Sequence, residues 1–178
     1  LSDYATVFLE EGNIEKAIEL FNDSIRANPN FAVSFNNLGN ALTQIEHYED
    51  AFNCFEKAIQ IRPNYFDAYL NYGNSLRKCK YYNHAIECFN QALAINKTSD
   101  EVLYALGEAY YDLGELDQAR THYQKCLVIS PKNLKARHAL AIANLPKVYQ
   151  NCKEIWSSRI NFVKELEILE TIDRLDAS

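Results

Sequence analysis

Side-chain carboxamides recur in this sequence at a repeated spacing. Asn36, Asn37 and Asn40 fall in N-N-L-G-N at 36–40, and Asn71 and Asn74 fall in N-Y-G-N at 71–74. A carboxamide donates and accepts hydrogen bonds at once. It therefore matches a peptide unit, which offers one N–H and one C=O. A column of such groups suits the capture of an extended peptide by its backbone, with loose sequence preference. The other candidate chemistry is sparse. His84 with Cys88 and His122 with Cys126 are each four residues apart, so each pair would share a helix face. Two ligands fall short of the four that a structural zinc takes, and packing or surface roles are expected. There is no G-x-S-x-G, Walker loop, H-E-x-x-H or Rossmann fingerprint. The carboxylates are scattered as solvated charge. The fragment is expected to have no catalysis of its own, no metal and no cofactor.

Composition narrows the partners. The chain has 178 residues, 48% of them hydrophobic and 24% charged, with a net charge of −6. That balance is ordinary for a folded domain. It argues against a general nucleic-acid or membrane-surface binder, which would be basic. No apolar run reaches the length of a membrane span. Five cysteines without a C-x-x-C give no disulfide framework, so a reducing, cytoplasmic setting is expected. The sequence starts at Leu1 and contains no Met, which suggests a piece of a longer chain.

The elements that must position the carboxamides repeat. Gly39, Gly73 and Gly107 recur every 34 residues, as do Ala17, Ala51, Ala85 and Ala119. Phe21, Phe55, Phe89 and Tyr123 keep the same step, as do Pro29, Pro63 and Pro131, with Lys97 in place of the proline between Pro63 and Pro131. Ser24, Ala58, Ala92 and Cys126 form another column. Helices are expected at 2–11, 14–28, 32–45, 48–61, 66–79, 82–95, 99–113, 115–129 and 134–144, with no strand pattern. A glycine inside a helix costs about 1 kcal/mol relative to alanine. The expected return is close approach of two helix axes where each glycine faces the alanine of its partner helix. The aromatic column should fill the gap to the next unit. Thr98 with Glu101 reads as a capping box.

This register resembles the tetratricopeptide repeat family, whose unit is an antiparallel helix pair of about 34 residues. The resemblance implies an all-α, right-handed superhelix of antiparallel helix pairs, a solenoid with a long C-terminal capping or connector helix. The array covers 1–144: a partial repeat at 1–31, full repeats at 32–65, 66–99 and 100–133, and a half repeat at 134–144. Residues 145–178 form the C-terminal element.

In such a stack the first helix of each pair lines a concave groove. The residues assigned to that face are Val33, Asn37, Asn40 and Gln44; then Asp67, Asn71, Asn74 and Lys78; then Glu101, Ala105, Glu108 and Asp112. The expected peptide site is Asn37, Asn40, Gln44, Asn71, Asn74, Lys78 and Glu108. Roughly one residue in ten of this chain is Asn. Bonding to neighbouring turns or to water is therefore the competing reading of the column.

Two branches of the family bear on the ligand. The clamp that grips chaperone C-termini resembles two Asn plus three basic residues. Asn40 and Asn71 match its amides, but Asn36, Glu101 and Ala105 stand where its cations would be. N-L-G-N at 37–40 and N-Y-G-N at 71–74 resemble the repeat arm of O-linked N-acetylglucosamine transferase-like (SPINDLY-type) glycosyltransferases, in which groove asparagines are implied to hold protein substrates.

The repeat breaks after Ala143. Pro146 should end the preceding helix, and Ile155 to Leu175 reads as one long helix. Ile155, Trp156, Ile160, Val163 and Leu166 share one side, and Ile168, Ile172 and Leu175 drift to another. A capping helix over the open end of the stack is one reading. Leu145, Pro146, Val148, Tyr149, Glu154, Ile155, Arg159 and Phe162 resemble instead the segment that joins repeats to catalytic domain in bacterial members of those transferases. Trp156, Ile168, Ile172 and Leu175 would then contact a catalytic domain of the parent chain, or a second copy in a homodimer. A generic scaffold for complex assembly is the alternative function.

Overall fold

The computed structural model describes residues 2–145, 155, 157–165 and 167–168. It is all helical over these residues. The elements are α1 (Ser2–Glu10), α2 (Ile14–Ala27), α3 (Ala32–Gln44), α4 (Tyr48–Ile61), α5 (Phe66–Lys78), α6 (Tyr82–Ile95), α7 (Asp100–Leu113), α8 (Leu116–Ile129) and α9 (Leu134–Ala143). Residues 157–165 are also helical. The observed helices lie within one residue of the expected bounds at each end. Two compact units divide the chain, one up to Lys97 and one from Thr98, and each stacks antiparallel helix pairs.

Three pairs, α3–α4, α5–α6 and α7–α8, close tightly on a glycine. A Cβ added at Gly39 would lie 2.8 Å from the Phe55 ring, and one at Gly73 would lie 2.5 Å from the Phe89 ring. Gly107 is covered in the same way by Tyr123. The nearest group over each glycine is thus the aromatic ring, and a flat ring lying on helix backbone leaves no room for a side chain beneath it. Ala51, Ala85 and Ala119 are fully buried in the same interface. Phe55 also reaches the next pair, stacking on Tyr72 with centroids 5.7 Å apart.

The turns inside the pairs share one conformation. Gly12, Glu46, Lys80 and Gly114 lie 34 residues apart, and all four have positive φ, at 80°, 62°, 64° and 90°. Two of the four lack the glycine this geometry favours, so Glu46 and Lys80 hold left-handed backbone at a cost of about 1–2 kcal/mol each. Between pairs, Pro29, Pro63 and Pro131 each follow a helix cap. The helix α6 ends at Ile95 without a proline, its cap amide at Asn96 bonding Ala92 O.

The cap of α7 departs from expectation. The helix starts at Asp100, and Ser99, not Thr98, is its N-cap, with Oγ accepting from Val102 N at 3.2 Å. Ser99 is buried, so its hydroxyl supplies an acceptor where water cannot.

The C-terminal helical residues turn an unexpected face inward. Ser158 is buried, and Glu165 accepts a 3.1 Å bond from Arg137 Nη1 of α9, both side chains being largely covered. Ile160 and Val163, expected on one broad apolar side with Ile155, are half exposed. A covered guanidinium needs an anion, and Glu165 supplies it to Arg137.

Candidate functional site

In the first unit, α3 and α5 lie side by side and carry the carboxamide column. Asn37, Asn40, Asn71 and Asn74 are all half-buried, and Gln44 and Lys78 are exposed. The column is wired through a residue assigned elsewhere from sequence. Asn36 is only 3% exposed. Asn71 Nδ2 donates to Asn36 Oδ1 at 3.0 Å, and Asn36 Nδ2 donates to Asn37 Oδ1 at 3.0 Å. Asn36 therefore stands as a buried bridge between two helices, where the clamp comparison would place a cation. Its neighbour in sequence, Asn37, gave the only hint, since adjacent helical residues point to different faces.

Asn40 and Asn74 differ from the bridged pair. Neither carboxamide has a hydrogen-bond partner among the described residues. Small hydroxyls flank the column. Thr43 Oγ1 lies 2.9 Å from Ser75 Oγ, tying α3 to α5, and also donates to Gly39 O at 2.9 Å. The face thus offers half-exposed amides beside hydroxyls that bond one another.

In the second unit the same faces hold different chemistry. Tyr104, Glu108, Tyr111 and Tyr123 join Lys135, His138, Ala139 and Ile142 around a cavity of about 280 Å³. Tyr123 is 1% exposed, and its hydroxyl donates to Glu108 Oε1 at 2.7 Å. Burial, then the bond to Glu108, hold the phenol above the usual tyrosine range. Glu108, expected to face a peptide freely, is in part committed to this bond. The cause is one oxygen: Tyr123 occupies the column that Phe55 and Phe89 fill in the first unit.

The remaining candidates separate. Ile168 is 41% exposed, whereas Trp156, Ile172 and Leu175 lie outside the described residues. His122 stacks on Tyr110 at 5.1 Å, and its Nδ1 lies 2.9 Å from Gln118 O. Burial lowers its pKa. Burial pushes the Cys88 thiol up to about 12 and the Cys126 thiol up to about 11. At neutral pH both are thiols with little nucleophilic character. Among the described residues, no group of three or more His, Cys, Asp or Glu could hold a metal ion. No described helix is long and apolar enough to cross a membrane.

Comparison with known proteins follows this geometry. Tetratricopeptide repeat models match residues 3–31, 32–65 and 100–133, and a TPR repeat model matches 73–114. No curated protein sequence matches the chain. Among solved structures, a crystal structure of MamA is 24% identical with a TM-score of 0.80, covering 96% of each chain. MamA 41-end from Desulfovibrio magneticus RS-1 is 24% identical with a TM-score of 0.81, covering 95% of this chain and 93% of that one. YrrB, described as a TPR protein with an unusual peptide-binding site, is 19% identical with a TM-score of 0.68, covering 96% of this chain and 81% of its own. At these identities the likeness is one of fold.

Proposed function

The chain belongs to the tetratricopeptide repeat family, and from that premise we propose that its first unit holds an extended peptide segment of a protein partner by the backbone. The observation that carries this is the pair Asn40 and Asn74, half-exposed carboxamides with no partner among the described residues, beside Asn37 and Asn71. Each can meet one N–H and one C=O. Gln44 and Lys78 extend the face at its exposed end. The YrrB description supports peptide capture on this fold. The test is a dodecapeptide selected from a phage-displayed random library on the whole chain. Asn40→Ala with Asn74→Ala should weaken its binding about tenfold, since two lost neutral hydrogen bonds contribute about 0.5–1.5 kcal/mol each. Unchanged affinity would remove the reading.

A narrower form makes this unit the substrate arm of an O-linked N-acetylglucosamine transferase-like parent. N-L-G-N, N-Y-G-N and the connector residues favour it, although Pro146, Val148, Tyr149 and Glu154 lie outside the described residues. The sequence that follows Ser178 in the parent gene tests it, and a chain with no catalytic domain there would rule it out.

Self-association has its own observation. Ile160, Val163 and Ile168 are 51%, 47% and 41% exposed. Light scattering with and without residues 153–178 tests a dimer built on them, and a monomer in both cases would exclude it.

A further inference from the structure

We propose that Asn36 is a positioning residue that sets Asn37 and Asn71 in opposite senses, so that the two together take the N–H and the C=O of one residue of an extended peptide. The inference rests on the peptide-holding reading above and adds how the peptide is oriented. Asn36 Oδ1 is committed to Asn71 Nδ2, and Asn36 Nδ2 is committed to Asn37 Oδ1. Asn71 therefore turns its carbonyl oxygen away from the bridge, and Asn37 turns its amino group away from it. One groove amide is left to accept and the other to donate. An extended partner meets them with an N–H on Asn71 and a C=O on Asn37.

The observed orientation of Asn36 commits Asn71 to accept and Asn37 to donate. Asn36 is 3% exposed, so water has little access to stand in for either neighbour. An unmet amide there would cost about 1–3 kcal/mol, which keeps both neighbours engaged. Ordering both groove amides before the peptide arrives lowers the entropy that binding must overcome.

The test uses the selected dodecapeptide and a set of its analogues, each N-methylated at one backbone position. On the wild-type chain, one analogue should lose about tenfold in affinity, marking the N–H that Asn71 accepts. That penalty should vanish in Asn71→Ala and in Asn36→Leu and persist in Asn37→Ala. Asn36→Leu, which does not touch the peptide, should itself lose about tenfold. Circular dichroism and the urea midpoint check that it is folded. If it is not, Asn36→Asp takes its place: a carboxylate only accepts, so both neighbours donate to it and both present oxygen. The N-methyl penalty should then persist, because Asn71 still accepts, while overall affinity falls about tenfold because Asn37 no longer donates. Any other pattern of N-methyl penalties overturns the proposal, as does an Asn36 variant within twofold of wild type. If Asn37→Ala, Asn71→Ala and the Asn40/Asn74 pair all leave affinity unchanged, the peptide-holding reading itself falls, and this one with it.

Discussion

The two units share a backbone pattern and differ at one aromatic column. In the first unit the rings over Gly39 and Gly73 are Phe55 and Phe89, which have no polar atom. The residues after those glycines, Asn40 and Asn74, have half-buried carboxamides with no hydrogen-bond partner among the described residues. In the second unit the ring over Gly107 is Tyr123, and its buried hydroxyl takes up Glu108 at 2.7 Å. The Tyr123 hydroxyl, together with a Glu in place of Asn, ties the position after the glycine into the fold. The first unit presents amides there, and the second lines a cavity of about 280 Å³ with tyrosines.

The closest approach is common to both units, so it should break both. Gly73→Ala and Gly107→Ala drive a methyl into a packed ring and should each cost about 1–3 kcal/mol, read as a lower urea midpoint. Equal stability to wild type would show that the ring has room to move.

A second pair of substitutions should separate the units. Glu108→Ala leaves the buried Tyr123 hydroxyl without its acceptor and should cost about 1–3 kcal/mol. Asn74→Ala removes a group that serves nothing inside and should change the midpoint by less than about 0.5 kcal/mol. Similar losses in both would erase the distinction. Phe89→Tyr sharpens it further. The new hydroxyl should engage Asn74 and weaken binding of the selected peptide several-fold.

Alkaline unfolding offers a third contrast. The Tyr123 pKa is raised above the ordinary tyrosine value of about 10. Its contribution is complete below that value and is lost as pH rises above it, because the unfolded chain ionises first. Stability should therefore decline above about pH 10, and Tyr123→Phe should flatten part of that decline. Tyr72, also raised by burial and bonded to Glu56, should account for a share in the first unit. A slope unaffected by Tyr123→Phe would place the titration elsewhere.

The smallest effects lie in the turns. Glu46→Gly and Lys80→Gly should each stabilise by about 1 kcal/mol, and Gly114→Ala should destabilise by a similar amount. Thermal melts would check the signs.

The helix bounds were legible because glycine, alanine, aromatic and proline recur at a fixed step, and periodic packing leaves a periodic trace. The left-handed turn column was harder to see, since Glu46 and Lys80 carry no sign of the conformation that Gly12 and Gly114 announce. The cap at Ser99 was missed by one residue because Thr98 and Ser99 are chemically near-equivalent at the start of a helix. On the site, the half-exposed placement of Asn37, Asn40, Asn71 and Asn74 followed from spacing on α3 and α5. The role of Asn36 did not, because it depends on a neighbour 35 residues away.

By itself the sequence determined the family, the helix pairs and the face that carries the amides, since these follow from local periodicity and from residue size. Only the tertiary structure decided which polar groups are already spoken for. Asn36, Glu108 and Arg137 are each engaged by a partner from another helix. A side chain's hydrogen-bonding capacity is settled by whatever packing brings within 3 Å or so of it, and nothing in its own stretch of chain encodes that.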